Sequence, residues 1–426
     1  MLNRLVQFAL TQRLFVLLAA ILLAGFGWYA FRSLPIDAFP DVSSTQVKVI
    51  MKAPGMTPEE IESRITVPIE VEMLGIPQQR MLRSVTKYGL VDVTVDFQDG
   101  TDHYWARQQV AERLNNIVGE LPGGISGGIA PITTPLGEMF MFTVESPGMS
   151  LEERRSLLDW VIRPALRAVP GVADVNALGG KVHSFEVVPE PAKLQALGLS
   201  TAQIKTAIEA NNRNDGAGRL GEGGEVLLVR TEGNIKTQDD LRAIVVSRKD
   251  GVIVRLGDVA VVRNGSVTRY GVVTKDGQGE AVQGLVLGLA GANAQKVVEG
   301  VTRKIEEITP TLPKGVELKV FYNRASLVEK AVGTVSKALL EATLIVLVLL
   351  GAFLGNVRAA VAVAVVLPLA ALGTFILMRG FGMSANLMSL GGLAIALGML
   401  VDAAIVVVEN IVQHLGRETA GGKLPR

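Results

Sequence analysis

Asp402 and Glu409 fall inside the apolar stretch NLMSLGGLAIALGMLVDAAIVVVEN (Asn386–Asn410), and no charged residue occurs from Gly380 to Val401. An aspartate near the centre of a bilayer costs roughly 2.5–3.5 kcal/mol on insertion scales. The default reading of an acid kept there is a site on an ion or proton path. Seven residues is close to two helical turns, so both acids share nearly one face, ~10 Å apart along the axis. Burial raises a carboxylate's pKa and a nearby cation lowers it, so a moving partner can load and unload a proton at Asp402. The competing reading is a structural acid locked to a polar neighbour. Glu409 is nearer the end of the segment, where it can relay protons, snorkel to water or hold a helix contact. Met388 and Met399 offer thioethers, which suit Cu(I); apolar packing is their commoner role. Gly391, Gly392 and Gly398 read as close-packing positions rather than a hinge.

Other chemistry is thinly represented. His103, His183 and His414 are scattered without ligand spacing, so no zinc site is expected. Asp99, Asp102 and Glu145 read as solvated acids, with cation attraction at an entrance as the alternative. The absence of cysteine excludes disulfides, thiolate metal sites and a cysteine nucleophile. No GxxxxGK[ST] loop occurs, so ATP is not the direct energy source, and nothing in the residues supports an enzyme. A proton moving down the membrane potential supplies about 2.3 kcal/mol per 100 mV. A net charge of +1 gives no case for a nucleic-acid partner.

The elements that position the acids follow from hydropathy. A chain of 426 residues with 49% hydrophobic content suits a mixture of membrane spans and one large water-soluble region. Leu14–Phe31 is an uncharged run bounded by Arg13 and Arg32, with Trp28 and Tyr29 at its far end. It reads as an uncleaved span, since RSLPIDAFPD is not a small-x-small cleavage site. Ala342–Val357, extended by Lys337 and Glu341, and Ala359–Met378 are the second and third spans. The acid-bearing helix is the fourth. Arg4, Arg13, Arg358, Arg417, Lys423 and Arg426 then fall on one side, which the positive-inside rule makes the cytoplasm. Residues 33 to about 335 form a long insertion on the other side.

Within the insertion, strand and helix patterns alternate. Thr45–Pro54 reads as a strand, and Thr57 caps a helix with Glu60 in the capping-box position. Strands at Arg80–Thr86 and Leu90–Phe97 and a helix from about Asp102 follow. A second unit begins at Glu138, with a helix over Ser150–Ala168 and strands at Val172–Ala177 and His183–Pro189. After a helix at Thr201–Asn211, Gly216, Gly218, Gly221, Gly223 and Gly224 predict a loop-tipped hairpin. Strand Leu285–Leu289, helix Ala294–Thr309 and strand Val316–Phe321 complete the pattern. Two α+β modules, one carrying a β-rich insert, account for it.

Across nearly its whole length the chain resembles the heavy-metal efflux branch of the resistance–nodulation–division (RND) exporters. The residues that carry this are PIDAFPDVSSTQV (Pro35–Val47), DGTDHYWARQQV (Asp99–Val110), YNRASLV (Tyr322–Val328) and the fourth helix. The resemblance implies a polytopic α-helical membrane protein with a large periplasmic α+β insertion: two ferredoxin-like βαβ modules plus a docking subdomain. It divides the chain into a head and first span at 1–34, a first pore module at 35–135 and a second at 136–335. The docking subdomain lies at about 212–275, spans two to four at 336–412, and a cytoplasmic tail at 413–426. It further implies the N-terminal portion of a twelve-span, proton-driven cation antiporter in the bacterial inner membrane. Its partners would be membrane lipid, two further copies in a homotrimer, a periplasmic adaptor protein and an outer-membrane channel, with no cofactor. Tyr104 and Trp105 would be core or tunnel-wall residues, and a lysine from a second-half helix would face Asp402. Divalent-metal members carry another aspartate six residues before the shared one; Ala396 stands there, as in copper(I)/silver(I) exporters. Open alternatives are a multidrug-type exporter of organic compounds and a non-transporting membrane protein that binds partners.

Overall fold

The computed structural model describes residues 7–9, 11–35, 37, 42–214, 216–222, 225–230, 232–249, 251–354 and 357–420. Arg4, Gly223, Gly224, Lys423 and Arg426 lie outside these.

The first module is built on strand β1 (Gln46–Lys52), whose alternate residues Val47, Val49 and Met51 are buried. It pairs with β3 (Leu90–Phe97) on one side and β4 (Ser126–Ile129) on the other, and β2 (Gln79–Lys87) lies outside β3, giving the order β2-β3-β1-β4. Helices α2 (Pro58–Ile61), α3 (Val67–Met73) and α4 (His103–Val118) cover the sheet. Ile61, Ile65, Ile69 and Met73 meet Val91, Val93, Val95 and Phe97 in its core.

The second module repeats this plan strand for strand. Strands β5 (Glu138–Glu145), β6 (Val172–Gly179), β13 (Val282–Gly288) and β14 (Glu317–Asn323) lie in the order β14-β5-β13-β6. Helices α5 (Leu151–Leu157), α6 (Arg163–Arg167) and α11 (Ala294–Ile308), with the turn Leu158–Ile162 between the first two, supply Leu158, Ile162, Leu166, Val297, Val298 and Val301 to a core with Phe140, Phe142 and Val286. Each module opens its first helix with a reciprocal cap, Thr57 with Glu60 and Ser150 with Glu153.

Each of these helices then widens into a π turn, Glu62–Thr66 and Leu158–Ile162, two residues before Pro68 and Pro164. A proline donates no N–H and its ring clashes with the carbonyl four residues back, and the wider turn accommodates both. The continuous helix predicted over Ser150–Ala168 is therefore three segments. Strand β4 was not predicted, because its sequence SGGI has poor strand propensity. Gly127 there has φ +138°, and a Cβ on it would lie 2.2 Å from the Ile50 carbonyl oxygen. Only glycine lets the strands approach so closely.

Between β6 and β13 the chain makes a separate unit. It contains β7 (His183–Pro189), α7 (Pro191–Leu197), α8 (Thr201–Asn211) and a hairpin of β8 (Gly216–Glu222) with β9 (Glu225–Arg230). Helix α9 (Gln238–Ala243), β10 (Val245–Lys249), β11 (Val252–Arg255), α10 (Leu256–Val259) and β12 (Ala260–Ser266) follow. Strand β12 pairs with β7, and Leu194, Ile204, Leu241, Val254, Leu256 and Val262 form the unit's own core. The hairpin predicted from the glycine spacing is present, closing Glu222 on Glu225.

Four long helices complete the chain: α1 (Arg13–Ser33), α12 (Arg324–Leu354), α13 (Val357–Gly380) and α14 (Leu387–Ala420). Among the described residues, Arg13–Ser33, Val363–Gly380 and Leu387–Ile411 are long and apolar enough to cross a membrane. The predicted second span, Ala342–Val357, lies in α12 as far as Leu354; residues 355–356 and many α12 side chains are outside the described set. The 31 residues of α12 extend ~46 Å, more than a bilayer core requires. Helices α1 and α13 run side by side, with Phe31 and Phe375 ring centroids 4.9 Å apart and Arg379 stacked 4.5 Å over Tyr29.

Candidate functional site

The acid-bearing helix α14 starts at a firm cap. The Asn386 Oδ1 accepts the Ser389 N–H at 2.9 Å, and the Ser389 Oγ accepts the Asn386 N–H at 2.9 Å. One stripe of the helix, Leu390, Leu393, Leu397 and Val401, is then buried against Leu367, Phe375 and Met378. These positions recur at the three- and four-residue steps of a helix face.

The opposite stripe is open. Met388, Ile395, Met399 and Val406 are 73%, 71%, 67% and 64% exposed, and Asp402 and Glu409 are exposed on the same side. Asp402 has no hydrogen-bond or ionic partner among the described residues. The two acids thus share one face, two turns apart, pointing away from the helices against which α14 packs. Met388 and Met399 lie on that stripe too, but eleven residues puts them ~16 Å apart. They cannot bind one ion together, so each needs ligands from elsewhere.

The glycines of α14 face no described neighbour. A Cβ on Gly391, Gly392 or Gly398 would meet nothing within 4 Å among the described residues. The close approach is at Gly27 instead, where a Cβ would sit 2.5 Å from that of Leu372. Hydropathy shows how apolar each helix is but not which helices face one another, and so passed over Gly27.

Two of the three candidate entrance acids have structural partners. The Asp102 carboxylate caps α4, accepting the Trp105 N–H at 2.8 Å. Glu145 forms an ion pair with Lys275 and accepts the Thr143 hydroxyl at 2.9 Å; the Lys275 hydrogen bond holds its carboxyl below the usual range. Trp105 packs edge-on against Phe97, while Tyr104 is exposed. His103 lies with Lys48 and Arg107 around a cavity of about 200 Å³, and His183 stacks edge-on with Phe185. No three His, Asp or Glu side chains gather as metal ligands among the described residues.

One polar constellation went unnoticed in the sequence. Arg324, the first residue of α12, is buried and donates to the Asp37 Oδ1 through Nε at 3.0 Å and Nη2 at 2.7 Å. Both residues sit in the motifs PIDAFPD and YNRASLV, but nothing in spacing brings positions 37 and 324 together.

The AcrB/AcrD/AcrF family model matches residues 5–423. The cobalt-zinc-cadmium resistance protein CzcA of Cupriavidus metallidurans is 42% identical over 97% of this chain and 40% of its own length. The cation efflux system protein CusA of Escherichia coli K12 is 37% identical over 97% of this chain and 40% of its own. A crystal structure of a heavy metal efflux pump superposes with a TM-score of 0.88 at 38% identity, covering 96% of this chain and 41% of that one. The chain thus spans about 40% of the length of these curated relatives.

Proposed function

We propose, because the chain belongs to the AcrB/AcrD/AcrF family, that it forms part of a proton-driven pump exporting heavy-metal cations. The observation that carries this is the open stripe of α14, with Asp402 and Glu409 on the face its own bundle leaves uncovered. An acid in an apolar helix changes its solvation sharply when it gains or loses a proton. Asp402 is the carrier and Glu409, two turns on, relays the proton toward the cytoplasm. A cation on a helix beyond this chain faces Asp402 and discharges it. The pump sits in the inner membrane with its α+β modules in the periplasm, works as a homotrimer, and meets an adaptor and an outer-membrane channel.

The cargo is a monovalent soft cation, copper(I) or silver(I). Ala396 supports this, because it stands where the divalent exporters that the chain resembles place a second acid, six residues before Asp402. Met388 and Met399 supply thioethers suited to such an ion. The 42% identity to CzcA, against 37% to CusA, favours a second reading with a divalent cargo.

Growth of cells carrying the intact pump on silver, copper, zinc, cobalt and cadmium separates the two. Silver and copper resistance is expected; resistance to the divalent metals alone would overturn the assignment from Ala396. Asp402→Asn should abolish resistance at unchanged protein level, whereas full resistance in that variant removes the carrier role. Resistance to dyes and detergents but to no metal would refute metal export altogether.

A further inference from the structure

Arg324 stands where four pieces of the chain meet. It begins α12, and its Nη1 donates to the carbonyl oxygen of Leu136, just ahead of β5 in the second module. Its other two donors go to Asp37, four residues beyond the end of α1. The backbone of that same linker is tied to the start of the acid-bearing helix: the Asp37 N–H donates to the Ala385 carbonyl and the Ala385 N–H to the Pro35 carbonyl, both at 3.0 Å. Ala385 is 1% exposed and immediately precedes the Asn386 cap of α14.

The connection from the acid to the module is therefore short and polar. A stiff helix carries Asp402 to Ala385, some 25 Å away. Two backbone hydrogen bonds lead to the linker, and a forked guanidinium leads from Asp37 to Leu136. The Arg324 side chain is 6% exposed, and a charge so buried holds to its partners, since losing one leaves it uncompensated. A fork onto one carboxylate oxygen, with a third donor on a carbonyl, also fixes direction, which a lysine could not reproduce. A cavity of about 260 Å³ lined by Asp37, Leu136, Met139, Asn293, Arg324 and Ser384 adjoins the junction.

We propose that Asp37 and Arg324 are positioning residues that transmit movement of α14 to the second extramembrane module. This rests on the reading of Asp402 as proton carrier. As positioning residues they act through α14 and not on the cargo, so their loss is expected to lower turnover and leave the half-saturating metal concentration unchanged.

The test uses the intact pump in vesicles with an imposed pH gradient, with Ag⁺ and Zn²⁺ each supplied as cargo. The protonated carboxyl band of Asp402, assigned by its loss in Asp402→Asn, is followed in the infrared. In Arg324→Gln and Asp37→Asn the expected result is wild-type recovery of folded pump, continued titration of the Asp402 band, and at least tenfold slower export at unchanged half-saturation. Arg324→Lys, which keeps the charge and loses the fork, should fall between. Wild-type export in Arg324→Gln overturns the proposal. So does a loss of export that merely follows the amount of folded pump, failure of both variants to accumulate, or loss of the Asp402 titration. Export that survives in Asp402→Asn sinks the carrier reading and this proposal with it. Export lost in Asp402→Asn but normal in Arg324→Gln sinks the joint alone.

Discussion

Two glycines on one helix should respond to the same substitution with opposite signs. At Gly27 an added Cβ would lie 2.5 Å from the Leu372 Cβ and 2.8 Å from its carbonyl oxygen. Carbon atoms rest at about 3.5–4.0 Å, so Gly27→Ala must part α1 and α13 by ~1–1.5 Å. A gap of half that size already forfeits a quarter or more of the local dispersion attraction, and overpacking of this kind costs about 1–3 kcal/mol. The Phe31–Phe375 and Tyr29–Arg379 contacts lie on the same seam and loosen with it. At Gly25, two residues earlier, an added Cβ meets nothing within 4 Å. Alanine there gains helix propensity, up to ~1 kcal/mol relative to glycine. Thermal unfolding of the detergent-solubilised protein, followed by size exclusion after heating, reads both. Gly27→Ala should unfold several degrees below wild type and Gly25→Ala at or above it. If Gly27→Ala behaves like Gly25→Ala, the assignment of the α1–α13 seam is wrong.

Two further outcomes follow from the extramembrane modules. Thr57→Ala and Ser150→Ala each remove half of a reciprocal cap and should weaken the first turn by about 1 kcal/mol, seen as roughly fivefold faster amide exchange at Glu60 and Glu153. Glu145, held below the usual carboxylate range by Lys275, stabilises the fold above its unfolded pKa of roughly 4.3 and loses that contribution as pH falls through its lower folded value. The melting difference between wild type and Lys275→Met should therefore be largest near pH 7 and shrink toward pH 3; a difference independent of pH would contradict the assignment.

What was legible in the sequence was local. Alternation gave β1, β3 and β5, and the Thr57–Glu60 and Ser150 signals marked helix starts, because these patterns depend on near neighbours. Two acids seven residues apart were bound to share a helix face whatever surrounded them. The π turns were missed because a proline within a helix signals a break without saying how the chain absorbs it. Strand β4 was missed because its glycines are selected by the closeness of Ile50, a tertiary fact. The Asp37–Arg324 contact and the Gly27 seam join residues hundreds of positions apart, and no periodicity connects them. The same holds for the glycines of α14, whose small size shows that something can approach but not whether anything in this chain does.

The doorway of the inserted unit has an evolutionary consequence. Gly179 pairs directly with Val282, so residues 180–281 leave and re-enter the second sheet at a single rung. Gly179 and Gly180, at φ +69° and +66°, make the exit bend, and a Cβ on either would press on residues 281 or 282. The strand register on either side of that rung is thus set by the sheet itself, while Lys275 and Tyr270 of the excursion touch the modules through the Glu145 and Tyr88 side chains. Insertions at such points are tolerated with little loop-closure penalty. Natural variation can lengthen, shorten or exchange the distal part of the appendage while the module beneath it keeps the strand order of its unadorned twin.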